Sequence, residues 1–264
     1  MKQYLDKFSL DNKVVFVLGG AGLIGEEIVR AVASAGATLI LLDVNSKKAK
    51  AIVEDINASG QKAVFEYFNA MDLEKSEKQL EKIWKQYGPA DVWVNASYPR
   101  TADWPQSLEK MNLSYLRKNV DAHLNSCLWL SRKIALLMKK SEVQGSIIHL
   151  GSIYGVQAND LTIYEGTKMS GEISYSAIKG GIVNFTRYLA SYFGPNGIRA
   201  NCVCPGGVFD HQDKQFVRHY EHKVPLKRMA KAEEIASAVL FLACEASSYV
   251  TGTTLMVDGG WTIV

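Results

Sequence analysis

Residues 13–33 read as an apolar strand, a glycine turn and a helix with no break between them, and few folds accept that order. Lys13-Val14-Val15-Phe16-Val17-Leu18 is a β-branched run of the kind buried on both faces of a parallel sheet. It enters Gly19-Gly20-Ala21-Gly22-Leu23-Ile24-Gly25, and Glu26 to Ala33 then continue with helical periodicity. Such a turn brings backbone N–H groups and a helix N-terminus against a pyrophosphate. A second apolar strand, Ala37 to Leu42, ends in Asp43. That carboxylate stands where a dinucleotide fold places its ribose-binding acid, about 20 residues past the turn. It can accept from ribose hydroxyls and repels a 2′-phosphate, so NAD is expected over NADP. A plain glycine turn and a surface Asp are the bland alternatives, and the strand–turn–helix context weighs against the first more than the second.

Farther along, Tyr175 and Lys179 are spaced i, i+4 on a helical pattern, with Ser152 upstream in Gly151-Ser152-Ile153-Tyr154-Gly155. A tyrosine hydroxyl, with a reference pKa of about 10, exchanges a proton near neutral pH only with help. A neighbouring ammonium favours the phenolate, and a serine hydroxyl can hold the same substrate oxygen. Alone, a Tyr-x-x-x-Lys pair is a solvated helix face. A second such pair, Tyr164 and Lys168, lies closer to Ser152. Tyr175 is preferred because an amphipathic helix follows it, from Gly180 to Ala190, whereas Gly166 interrupts the other pair. That choice implies an insertion at residues 159–172 over the substrate side, where loops usually carry specificity.

These residues, with Asp91-Val92-Trp93-Val94-Asn95-Ala96, Ile198-Arg199-Ala200-Asn201, Pro205-Gly206 and Asp258-Gly259-Gly260, appear in an order that resembles the short-chain dehydrogenase/reductase family over essentially the whole chain. The resemblance implies a single α/β domain over residues 1–264, a doubly wound parallel sheet of Rossmann type with helices on both faces. It implies a cofactor site from Gly19, Gly22, Leu23, Ile24, Gly25, Asp43, Asp72, Leu73, Asn95, Ala96, Tyr175, Lys179, Pro205, Gly206 and Val208. Tyr175 is then the general acid/base, Ser152 orients the carbonyl or alcohol, and Lys179 binds ribose hydroxyls and lowers the tyrosine pKa. A substrate lid is expected at 208–228, and dimers or tetramers through helices around 112–138 and 175–193.

Departures from the family pattern are informative. Leu18 replaces a threonine, Leu23 a glycine, and Ser97-Tyr98 follow Asn95-Ala96 where Ala-Gly is usual. His123 falls at the position of the family's catalytic Asn, with Asn119 one turn earlier. It is read as a relay-water anchor or a pH switch, against a packing histidine. Tyr98, Arg100 and Trp104 are substrate candidates: Arg100 for a phosphate or carboxylate, the rings for a sugar face. Part of this pattern resembles bacterial flagellin-modification and nonulosonic acid biosynthesis oxidoreductases, which implies a phosphorylated or nucleotide-linked sugar. The alternatives are an NADPH-linked carbonyl or 3-oxoacyl thioester reductase, and a non-catalytic NAD-binding sensor or scaffold.

Composition fits a small-molecule enzyme. At 264 residues and 47% hydrophobic content, one large core is within reach, and a net charge of +3 leaves no nucleic-acid footprint. No apolar run suits a signal peptide or a membrane span, so a cytoplasmic protein is expected. Cys127, Cys202, Cys204 and Cys244 have no metal-ligand or disulfide spacing.

Overall fold

The computed structural model describes residues 4–101, 104, 108–171 and 173–264, the side chain of Ile173 excepted. Seven parallel strands form one sheet: β1 (Val14–Leu18), β2 (Thr38–Asp43), β3 (Lys62–Tyr67), β4 (Val92–Asn95), β5 (Ser146–Leu150), β6 (Arg199–Pro205) and β7 (Thr254–Val257). Their order is β3-β2-β1-β4-β5-β6-β7. The chain reverses its winding between β1 and β4, and open α/β sheets bind ligands beyond the strand ends at such a switch point.

Period-two alternation in the strands sends side chains to two cores. Val15, Val17, Leu39 and Leu41 pack with α1 (Leu23–Ser34), α2 (Ser46–Ala58) and α8 (Ala232–Ala243). Phe16, Leu18, Ile40, Leu42 and Trp93 face the other way, onto α3 (Leu73–Tyr87), α5 (Ser126–Lys140) and α6 (Ile173–Phe193). Covering both faces explains why the β1 and β2 sequences are continuously apolar rather than alternating.

Three features position the site. A short helix α4 (Leu113–Asn119) runs through a π-helical segment, Val120–Asn125, into α5. That bulge carries His123 into the interior. The expected insertion forms a 3-10 turn at Leu161–Tyr164 and packs on α7 (Lys214–Lys223), which lies inside the expected lid. Among the described residues, no helix is long and apolar enough to cross a membrane and no cluster could hold a metal ion. All four cysteines are reduced and buried.

Candidate active site

The carboxyl ends of the strands open into a cleft of about 950 Å³. Its floor is the glycine turn. Gly19 has φ +79°, and a Cβ there would sit 2.6 Å from the Ser97 backbone; a Cβ on Gly25 would sit 2.0 Å from the Gly19 carbonyl. Only glycine lets the turn lie this low, which leaves room for a bulky polar group above it. No side chain caps α1 at Gly22, so its first N–H groups meet no competing side-chain acceptor. Leu23, at the family's glycine position, is exposed along the cleft wall and obstructs nothing below it. The residues therefore fit a dinucleotide.

Asp43 closes β2 beside this turn. Its Oδ2 accepts from the Ala21 N–H at 2.9 Å and its Oδ1 from the Asn45 N–H at 2.8 Å. Ile24, Ala96, Pro205, Gly206 and Val208 also line the cleft, as do Ser152, Tyr175 and Lys179 at its far end.

Several expected residues stand elsewhere. Asp72 is the N-cap of α3, accepting from the Lys75 N–H and paired with the Lys75 ammonium, and Leu73 faces a separate groove. Neither lines the cleft. Phe68, Asn69, Ala70 and Met71 do, immediately past β3. The signal is the strand end itself: β3 stops at Tyr67, level with Asp43 on β2, so the residues directly after it, not the helix-capping aspartate, reach the cleft. Asn95 is buried beneath the cleft, its Oδ1 accepting from the Ser97 N–H and hydroxyl and its Nδ2 unpartnered.

The catalytic candidates converge. Ser152 follows β5 and accepts from the Tyr154 N–H at 3.2 Å. Tyr175 and Lys179 stand one turn apart on α6 and line the same cleft. Lys179 is 4% exposed and donates to the Leu150 carbonyl at 2.7 Å; its ammonium lies 5.5 Å from the Tyr175 ring centre and 5.8 Å from that of Tyr98. Burial lowers the Lys179 pKa to about 8, against the opposing pull of the nearby Cys202, Cys127 and Cys204 thiols. The Tyr175 phenol is pushed up, by burial above all, with the Ser152 hydroxyl pulling it down and Cys204 adding to the rise. The expected lowering by Lys179 does not appear: burial dominates this phenol, and Tyr175 rests as the protonated acid.

Tyr98, Arg100 and Trp104 surround this centre. Tyr98 and Trp104 stand edge-on to Tyr175 at 5.7 and 6.3 Å, and the Arg100 guanidinium lies 5.0 Å from the Tyr98 ring centre. Tyr98 and Arg100 line the cleft, while Trp104 is buried behind them. His123 meets the Tyr98 ring edge-on at 5.4 Å, its Nδ1 buried without a partner. Burial, with the Lys179 charge, holds its pKa well below the usual imidazole value. The pH-switch expectation is thereby corrected: the ring stays neutral across the neutral range. Asn119 is occupied in holding Thr101 and the Tyr115 carbonyl.

The buried ammonium yields a stability test. With its folded pKa below the unfolded value, Lys179 contributes stability that is present above pH 10.5 and lost as pH falls through 8. Relative to Lys179→Met, the wild type should gain about 3 kcal/mol as pH rises from 8 to 10.5. Urea midpoints of both proteins across that range check it; parallel curves would refute it.

A family model described as enoyl-(acyl carrier protein) reductase matches residues 20–262. Post-translational flagellin modification protein A of Campylobacter coli is 30% identical over 256 residues, covering 96% of this chain and 99% of that one. A 3-oxoacyl-[acyl-carrier-protein] reductase of Chlamydia muridarum is 31% identical over 259 residues, covering 95% and 98%. A short-chain dehydrogenase from Leptospira borgpetersenii, solved with bound NAD+, superposes with a TM-score of 0.81 at 32% identity over 99% of this chain and 96% of that one. With the glycine cradle and the Ser152–Tyr175–Lys179 cluster, these likenesses place the chain in the short-chain dehydrogenase/reductase family, as an oxidoreductase acting on CH–OH groups with NAD(P).

Proposed function

We propose that the protein transfers a hydride between NAD and a secondary alcohol or ketone on a phosphorylated or nucleotide-linked sugar. The observation that carries this reading is the convergence of Ser152, Tyr175 and Lys179 at the end of a cleft whose opposite end is closed by Asp43. In the reducing direction, the Tyr175 hydroxyl donates its proton to the carbonyl oxygen while the Ser152 hydroxyl holds that oxygen in place. Lys179, fixed on the Leu150 carbonyl, holds positive charge beside the phenol and offers its remaining N–H groups to ribose hydroxyls. When bound, the nicotinamide supplies or accepts the hydride, and its oxidised form adds a positive charge that favours the phenolate. Asn69 and Ala70 are the residues proposed to bound the adenine end, with Val208 at the nicotinamide end.

The preference for NAD rests on Asp43. Val44 and Asn45 follow it, and the cations among the described residues of the cleft wall, Arg100 and Lys179, belong to the Tyr175 end. A 2′-phosphate would meet a carboxylate with no nearby lining cation to offset it. NADH is expected to bind about tenfold or more tightly than NADPH, and Asp43→Asn to narrow that gap. Calorimetric dissociation constants decide the matter; tighter NADPH binding by the wild type would refute it.

The sugar assignment is supported by Arg100 poised on Tyr98 at the cleft mouth and by likeness to the flagellin-modification protein. The likeness to a 3-oxoacyl reductase favours a second reading, reduction of an acyl thioester. Turnover of acetoacetyl-CoA without turnover of any sugar phosphate or nucleotide sugar would select it. A second copy of the chain is the proposed partner, and Tyr188, Tyr192, Trp129 and Leu136, exposed around a groove between α5 and α6, support that proposal.

A further inference from the structure

The chain between β6 and α7 is tied down at both ends and held by a single side chain in the middle. Val208 forms an isolated bridge with Ala230. The Gly207 carbonyl accepts from the Ala230 N–H, and the Phe209 N–H donates to the Ala230 carbonyl, both at 2.9 Å. At the other end, Asp213 caps α7, its carboxylate accepting from the Gln215 N–H at 2.7 Å. The inserted segment anchors α7 in turn, through the Lys223–Asp160 ion pair and through Gln215 Nε2 on the Glu165 carbonyl. Asp210, His211 and Gln212 lie between these anchors and make no backbone-to-backbone hydrogen bond among the described residues. His211 has φ +56°, an uncommon conformation for a residue with a Cβ.

The Gln212 carboxamide holds this stretch. Its oxygen accepts from the Asp210 N–H at 2.8 Å and its NH2 donates to the Val208 carbonyl at 2.7 Å. Val208, Asp210 and Gln212 all line the cleft. In a bridge residue the N–H and C=O point to one edge of the chain, and those of its neighbours to the other. Ala230 takes up the Gly207 and Phe209 groups, so both polar groups of Val208 turn away from it. The Val208 N–H has no partner among the described residues, and the C=O has Gln212. A donor and an acceptor side by side match one primary carboxamide, whose oxygen accepts while its NH2 donates. Gln212 brings such a group from within the chain, and the nicotinamide of NAD carries another.

We propose that Gln212 competes with the nicotinamide carboxamide for the Val208 carbonyl, so that cofactor binding opens this latch and frees residues 210–212. The competition weakens cofactor binding and ties it to the position of the loop that borders the cleft. Only the nicotinamide end of the cofactor takes part. ADP-ribose, which lacks the nicotinamide, fills the glycine cradle and leaves the latch shut. The inference rests on the reading that places Val208 at the nicotinamide end.

Calorimetry with NADH and with ADP-ribose reads the competition as a ratio of dissociation constants. Gln212→Met removes both hydrogen bonds. Gln212→Glu keeps an acceptor for the Asp210 N–H but has no NH2 to offer Val208. Each variant should favour NADH over ADP-ribose about fivefold more than the wild type does, the worth of one neutral hydrogen bond. The competition is overturned if that ratio stays level or falls in one variant or in both. A wild type that binds neither ligand removes the NAD reading and the competition with it. Binding of both ligands with a level ratio removes the competition alone.

Discussion

Tyr175→Phe should lower turnover by roughly 10²–10⁴-fold, the usual contribution of general acid–base catalysis, while NADH affinity stays within a few tenths of a kcal/mol. The phenol combines the cleft, the Ser152 hydroxyl and the Lys179 ammonium. Burial raises its pKa, so it begins as a donor in the reducing direction. Phenylalanine keeps the ring that packs against Tyr98, Trp104 and Tyr154 and removes only the hydroxyl. The cradle at Gly19, Gly22 and Gly25 lies at the other end of the cleft and is untouched. Tyr164→Phe is the matched control: its ring packs on Phe216, outside the cleft lining, so its loss should spare the chemical step. Single-turnover rates with NADH fluorescence read both variants. A Tyr175→Phe enzyme at wild-type rate beside a dead Tyr164→Phe enzyme would reverse the assignment.

How far the sequence could be read depended on whether a residue's role is local. The glycine turn, Asp43 and the strands were legible because period and spacing fix them within a few residues of chain. Gly19 must be glycine for a positive φ and a close approach to Ser97, and both constraints show in the local pattern. Tyr175 and Lys179 were legible as a helix pair followed by an amphipathic helix. Asp72 was misplaced because two demands overlap at the end of β3: a cleft residue and a helix cap both favour short polar side chains. Asn69 took the first role and Asp72 the second, and only the strand register separates them.

Long-range consequences were less accessible. That His123 is buried and neutral depends on the π-helical segment and on Lys179, which lies far away in sequence. A lowering of the Tyr175 pKa by Lys179 is expected from proximity, yet burial dominates this phenol, and burial is a property of the packed molecule. The insertion is legible from the spacing between Ser152 and Tyr175, but its ties to α7, Asp160 to Lys223 and Glu165 to Gln215, join residues separated by fifty or more positions. Charge and hydroxyl patterns in neither segment point to the other.

Acidification should expose a stability cost that resides in His149. This residue is wholly buried on β5, with Nδ1 2.8 Å from Thr186 Oγ1 and Nε2 2.8 Å from Ser131 Oγ. Thr186 spends its hydrogen on the Ile182 carbonyl, so it accepts from the His149 Nδ1–H. Ser131 accepts from the Trp93 indole N–H at 3.3 Å and donates its own hydrogen to Nε2. The network therefore assigns a neutral ring protonated on Nδ1, and a second proton on Nε2 would displace the serine hydrogen. Burial, with the Lys179 charge adding to it, pushes the pKa down to about 3. Because the folded value lies below the unfolded one, the stability His149 contributes is present above pH 6.5 and lost as pH falls through 3. The unfolded chain takes up the proton first, which costs about 1.4 kcal/mol per pH unit below 6.5, or roughly 3 kcal/mol by pH 4.5. His149→Gln should be less stable at pH 7, since it disturbs Ser131 and Thr186, but should lose about 3 kcal/mol less than the wild type between pH 6.5 and 4.5. Exposed carboxylates titrate alike in both proteins and cancel in that difference. Urea midpoints at the two pH values measure it, and equal losses would show that the imidazole gains its proton inside the folded protein.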